Sequence, residues 1–366
     1  MSRRRVVDSP ATDPATAGSG RPESPRAWGD PAGRGSIRTR PEDFRVVEDV
    51  GYAPSGSGEH LWLEVEKREA NTMDIARRLA DHAGVALRSV GFAGLKDRNA
   101  VTRQPFTIQL PGRDDPDVAT WSDDSLRVVS VTRHARKIQR GRLAGNAFEI
   151  VVRDVEGDRD AIERRLASIR DGGVPNGFGE QRFGGNNIAR AYRLFRGELR
   201  RKPSRAKRGF YLSAARSLIF NRVLEARILD STWNRARAGE LLMLDGSRSV
   251  FAAETVDEEL QARVAGQDVH PTGPMAGEGG PVPTGEVAAL EGAVLEEHAE
   301  LVVGLQRFGL SAERRPLRMR VLDLSWTWPA PDALALSFRL RPGCYATAVL
   351  REVLEYRDAS HDLSPS

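Results

Sequence analysis

The chain has 366 residues, 40% hydrophobic and 29% charged, a composition that excludes a wholly disordered protein and allows two or three domains. Its single cysteine, Cys344, excludes an internal disulfide and a cysteine-based zinc site, and no apolar run approaches the roughly 18 residues of a membrane span. Formal net charge is only +4, but the pI is about 9.4, and five Arg or Lys lie between Arg133 and Arg142 and nine between Arg190 and Arg208, the latter opposed by Glu198 alone. One such cluster is as easily a solvated surface as a phosphate-binding one. Two on a modestly charged chain point toward nucleic acid.

Residues 1–35 are rich in Pro, Gly, Ser, Ala and Arg, and too poor in large apolar side chains to offset ordering entropy; they read as a disordered tail. Arg3, Arg4 and Arg5 are followed by no apolar stretch, so the tail is not a signal peptide. Phe44, Val46 and Glu48 then share one face of a short alternating run, with Arg45 and Val47 on the other. GYAPSGSGEH is a loop by composition, and LWLEVEK alternates Leu61, Leu63 and Val65 against Trp62, Glu64 and Glu66 as a strand. Asn71 is placed to cap a helix whose stripe is Ile75, Ala76, Leu79 and Ala80, and Gly84 stops it. Strands follow at Val90 and Phe92, at Phe106, Ile108 and Leu110, and over 147–152, and a helix over 160–169. The glycine-rich stretch 172–187 breaks all periodicity and marks a boundary or hinge. A helix is predicted over 212–229 from Leu212, Ala215, Ile219, Val223 and Ala226. The Gly- and Pro-rich stretch 266–285 reads as a long loop. Leu334, Leu336, Phe338 and Leu340 alternate as a strand, Pro342 and Gly343 turn the chain, and Val349, Leu350, Val353 and Leu354 start a last helix. The order implies an α+β protein with an inserted, mostly helical middle section.

Among candidate site residues Asp97 comes first. Aspartate in a polar loop is usually a turn former. Here it sits in GLKDRNA, between two strands, flanked by Lys96 and Arg98, cations that stabilise a carboxylate suited to nucleophilic attack. Phe44 and Tyr345 are aromatics beside polar or glycine-bearing segments; each is either core or a cleft wall able to stack on a base. Asn146, between Gly145 and Ala147, either shapes a turn or offers an amide to a uracil edge. The six histidines are scattered without metal-ligand spacing, so no metal is expected, and no dinucleotide, Walker A, HExxH or GxSxG motif is present.

GFAGLKDRNAVTRQ resembles the signature of TruD-type tRNA pseudouridine synthases. EDFRVVE, GSGEHLWLEVEKREANT, GRLAGNAF, PNGFGEQRFGGNN, YLSAARSLIFNRVLEAR, PTGPMAG and LRPGCYATAVLREVLE are similar to further blocks of that family and run in its order from about residue 36 to 357. The resemblance implies an isomerase that converts a D-arm uridine of tRNA, position 13, to pseudouridine by base flipping, without cofactor or metal. It places the catalytic Asp on Asp97 and the base pocket on Phe44, Asn146 and Tyr345. Two departures stand out: the last residue is Phe in some relatives, and Asn176-Gly177-Phe178-Gly179 lacks one aromatic of the family's block. The implied fold is a catalytic domain with a mixed, largely antiparallel sheet (36–171 and 319–360), an inserted α/β TRUD domain over 172–318, RNA in a cleft between them, and a flexible end over 361–366. The expected substrate is tRNA-Glu and the expected form a cytoplasmic monomer with no protein partner. The rivals are a non-catalytic RNA chaperone on the same scaffold and a synthase acting on another RNA.

Overall fold

A computed structural model describes residues 24–361 of the chain. In chain order the first elements are β1 (Gly33–Ile37), β2 (Phe44–Asp49), β3 (His60–Arg68), α1 (Thr72–Ala83), β4 (Val90–Gly91), β5 (Val101–Gln109), β6 (Leu126–His134), β7 (Gly145–Gly157), α2 (Arg159–Gly172) and β8 (Val174–Pro175). The middle holds α3 (Asn187–Phe195), α4 (Arg205–Leu229), β9 (Glu240–Leu244), β10 (Val250–Ala253), α5 (Glu258–Ala265), β11 (Val269–Met275), α6 (Gly285–Glu297), α7 (Ala299–Arg307), β12 (Glu313–Pro316) and β13 (Arg318–Met319). The chain ends with β14 (Leu322–Ala330), β15 (Ala333–Leu340), α8 (Ala346–Val353) and β16 (Glu355–Asp358). Two compact units result. One comprises Asp30–Val174 and the chain from Met319 onward; the other comprises Pro175–Arg318 and the segment up to Gly29. Among the described residues no helix is long and apolar enough to cross a membrane.

The first unit is built on a ten-stranded sheet whose main path runs β14-β15-β7-β2-β5-β3-β6. All pairs along it are antiparallel except β2 with β5. β1 joins β7 antiparallel and β16 parallel. The alternating run behaves as its period demands: Phe44, Val46 and Glu48 are buried and Arg45 and Val47 exposed. Asn71 stands at the N-cap position of α1 but its side chain accepts from no backbone N–H, its amide donating instead to Asp74 Oδ2 at 3.2 Å; Gly84 ends the helix in the left-handed region at φ 62°, which a Cβ would strain. Ile75, Ala76, Leu79 and Ala80 pack on Leu61, Leu63, Phe106 and Ile108 of the sheet. Full burial of Ile75 and Leu79 stabilises the unit by about 1.5–3 kcal/mol each.

The second unit differs from the expectation in three ways. Its middle is mixed rather than mostly helical, with a four-stranded sheet ordered β10-β9-β11-β12 beside its helices. The stretch 266–285 is not a long loop, because it contains β11. Gly273 there serves close packing, not flexibility: a Cβ would lie 2.9 Å from Leu317 and 3.1 Å from Phe220. β11 pairs with β9 over Val269, His270 and Pro271 and with β12 from Thr272 to Met275, so neither Pro271 nor Pro274 is needed in a ladder on both sides. Finally, α4 starts at Arg205, seven residues before the apolar stripe, because the Ser204 hydroxyl accepts from Lys207 N at 3.3 Å and caps a polar first turn.

The expected tail also divides. Residues 1–23 lie outside the described residues, as do 362–366 of the expected flexible end. Structure begins before residue 36, with Trp28 edge-on to Trp233 at 5.9 Å and β1 paired in the large sheet.

Candidate active site

Asp97 lies in the connection from β4 to β5, and that connection is fastened through its main chain. Lys96 N donates to Thr72 Oγ1 at 2.9 Å, Thr72 in turn donates to Gln104 Oε1 at 3.0 Å, and Gln104 Nε2 donates to Gly94 O at 3.2 Å. Gly141 N donates to Ala93 O at 2.9 Å. Lys67, fully buried, donates to the Asp97 carbonyl at 2.8 Å and to Ala70 O at 2.7 Å. Burial pushes the Lys67 ammonium down to about 8, although the Asp97 charge opposes this and Lys96 adds to it. The loop is thus held from four sides, while the Asp97 side chain remains 66% exposed.

The cation that meets the Asp97 carboxylate is Arg38, whose Nη2 lies 3.2 Å from Oδ2. Arg38 sits in the left-handed region at φ 54°, just past β1. Its other nitrogen, Nη1, donates to Asp358 Oδ2 at 2.5 Å, and its guanidinium lies 4.0 Å over the Phe44 ring. Burial would raise Asp358, but the Ser360 hydroxyl and Arg38 outweigh it and hold the carboxyl below its ordinary range. One guanidinium therefore serves an exposed and a half-buried carboxylate at once.

The sequence neighbours of Asp97 do something else, which corrects the expectation that they flank its carboxylate. Lys96 points its ammonium to the buried Glu48, at 2.6 Å, and to Asn146 Oδ1, also at 2.6 Å. Arg98 donates to Glu69 O at 3.3 Å. Register explains the meeting, since Glu48 on β2 and Leu340 on β15 both lie opposite Asn146 on β7. A Cβ on Gly94 would stand 2.3 Å from Glu48 Oε2 and 2.8 Å from Lys96 Nζ, so only glycine lets the loop pass this pair.

Phe44 is 2% exposed, wedged between Arg38 and the Phe148 ring, to which it is edge-on at 6.3 Å. Asn146, with its oxygen on Lys96, has its NH₂ donors to offer. Tyr345 is 39% exposed and stands at the N-cap of α8, five residues after the register partner of Asn146. The structure thus joins Asp97 to Phe44 through Arg38, and ties Asn146 to the residue preceding Asp97. Tyr345 follows the strand end that carries the partner of Asn146, with no hydrogen bond or ring contact to Asp97, Phe44 or Asn146 to join it to them.

Three contributors escaped the sequence reading. Lys67 continues the inward register of Leu61, Leu63 and Val65, and Glu48 that of Phe44 and Val46; a charge on an apolar period is a signal for both. Arg38 offers no such sign, because its partner Asp358 lies 320 residues away in sequence.

The basic segment 133–142 packs beside this loop. Much of its charge is engaged: Arg133 with Asp115 at 2.5 Å, Lys137 with Arg88 O, and Arg140 over the Phe92 ring at 3.8 Å.

The tRNA pseudouridine synthase D (TruD) family profile matches residues 26–200 and 186–353. The chain is 47% identical over 343 residues to tRNA pseudouridine synthase D of Pseudomonas syringae pv. tomato, covering 93% of this chain and 97% of that one. It is likewise 47% identical over 334 residues to the protein of the same name from Methylococcus capsulatus, covering 91% and 94%. A crystal structure of a TruD protein from Methanosarcina mazei superposes with a TM-score of 0.67 at 22% identity, covering 89% and 94%, and shares the fold.

Proposed function

Because the chain belongs to the TruD family of tRNA pseudouridine synthases, we propose that it isomerises the D-arm uridine at position 13 of tRNA, tRNA-Glu in particular, with Asp97 as nucleophile. It acts as a cytoplasmic monomer. The reaction is an isomerisation: the bond from ribose C1′ to N1 breaks, one from C1′ to C5 forms, the C5 proton leaves and N1 gains one. No electron acceptor is required.

The observation that supports this reading best is the exposed Asp97 carboxylate on a loop fixed by its own main chain. A nucleophile needs accessible oxygens and a stationary backbone, and the two requirements are met by different atoms of one residue. The target base leaves its stack to reach Asp97, at a cost of a few kcal/mol. Asp97 then attacks C1′ or the base, or removes a ribose proton to give a glycal; each route uses the same anionic oxygen beside Arg38. Asn146 donates to a uracil carbonyl, and Tyr345 lays its ring on the base or ribose. Phe44 holds the floor of the pocket beneath Arg38. The basic segments hold the tRNA backbone without reading sequence.

Asp97→Asn is expected to bind tRNA as the parent does and to yield no pseudouridine in carbodiimide primer extension. Appreciable turnover would remove Asp97 from the role. Mapping pseudouridine in total RNA, with and without the gene product, is expected to lose the signal at position 13 of tRNA-Glu. Loss elsewhere would reassign the substrate.

A further inference from the structure

Six of the nine basic residues over 190–208 show two kinds of environment. Arg196 is spent, its Nε and Nη2 on the two oxygens of Glu300 at 2.6 and 2.8 Å. Arg200, Arg201, Lys202, Arg205 and Lys207 are all exposed and make no ion pair among the described residues. Just beyond them Phe210 is 62% exposed on α4. The inward positions of that turn belong to Tyr211, Ala214 and Ala215, so Phe210 falls off the buried stripe. Gly209 beside it has open space around its Cβ position. Within the same unit Arg208 lies 6.0 Å over the ring of Phe308, itself 37% exposed.

We infer that Phe210 and the exposed cations of 200–207 form a second RNA contact, in which an unpaired base of the tRNA, other than the target uridine, stacks on Phe210 while the cations take the flanking phosphates. Uncompensated cations repel one another until a polyanion neutralises them and its counterions are released. A single exposed ring is too small to anchor a membrane or the core of a protein interface, but it matches one base face. That face is available only where the base is unpaired, as in a tRNA loop. The inference rests on tRNA being the substrate and deepens that reading.

The test uses the full-length protein and an unmodified tRNA transcript. Phe210→Ala is expected to raise Kd and KM about tenfold, the effect of losing one base stack, with the deficit recovered at saturating tRNA. Its salt slope should stay that of the parent, since no phosphate contact is lost, and Phe210→Trp should restore binding. The triple variant Arg201→Ala, Lys202→Ala, Arg205→Ala is expected to lower the slope of log K against log salt by about 2–3. Thermal melts verify that both fold. An unchanged Kd for Phe210→Ala, or an unchanged slope for the triple variant, overturns the inference. Absence of pseudouridine formation by the parent, with these binding effects intact, would instead reject the proposed reaction and leave the contact standing.

Discussion

Each unit of the molecule buries an ion pair, and the two pairs are built differently. In the inserted unit Arg227 and Glu240 are 1% and 0% exposed and densely bonded, although the Arg227 Nε is left without a partner. Arg227 meets both Glu240 oxygens, at 3.3 and 2.8 Å, and donates to Thr232 O at 2.8 Å and Arg235 O at 3.3 Å. A second pair, Arg314 with Glu291 at 2.8 and 2.6 Å, completes the network. Burial still raises Glu240 more than Arg227 lowers it, so the pair contributes modestly while intact and costs much when broken. In the catalytic unit Lys96 and Glu48 are 7% and 0% exposed, yet neither Glu48 oxygen has a hydrogen bond beyond the ammonium contact. A densely bonded pair fixes a fold. A sparse pair, one residue from the exposed carboxylate proposed as nucleophile and sharing its cation with Asn146, is placed to set the geometry of the proposed site.

The largest expected effect is on the densely bonded side. Arg227→Met strands Glu240 in the interior, which should cost about 3–5 kcal/mol and lower Tm by roughly 10 °C in a calorimetric scan. The double variant Arg227→Met, Glu240→Met should recover most of it. A shift of a degree or two for the single variant would erase the contrast. On the sparse side Glu48→Gln keeps the shape and removes the charge. Lys96 then keeps only the Asn146 oxygen, and kcat is expected to fall about tenfold to a hundredfold with a Tm loss smaller than that of Arg227→Met. A stability loss matching that of Arg227→Met, without a kcat effect, would make the two pairs equivalent.

Legibility in the sequence follows the range of the interaction. The Phe44–Val46–Glu48 alternation, the Gly84 stop of α1 and the inward face of β15 are local, and period and turn chemistry suffice for them. Asp97 stood out by its loop, but its electrostatic partner did not. The adjacent Lys96 and Arg98 drew the argument, whereas the cation in place is Arg38, 59 residues away. β11 was unreadable for another reason: Gly273 and its prolines answer to Phe220, Leu317 and the register of two neighbours, none of which a composition window contains. The isomerisation itself came from ordered family blocks, because a carboxylate among cations serves many reactions.

The smallest expected effect concerns Lys67, a buried cation of a third kind, paired with carbonyls and not with a carboxylate. Burial brings its ammonium down to about 8, below the ordinary lysine range. Below that pH the ammonium donates to both Ala70 O and Asp97 O; above it a neutral amine still donates, but weakly. Activity should therefore decline only severalfold on the alkaline side, with a midpoint near pH 8. Stability should move the other way. The native state releases this proton before the unfolded chain does, so from pH 8 to about 10.5 the unfolded state binds more protons and this lysine's contribution to stability rises with pH. In Lys67→Met the activity limb near pH 8 should be absent and kcat lower throughout. Rate profiles and melts across pH 7–9.5 check both signs. If Lys67→Met kept the parent's alkaline limb, the clamp on the Asp97 carbonyl would be a packing contact alone, and the rigidity of the loop would have to come from Thr72 and Gln104.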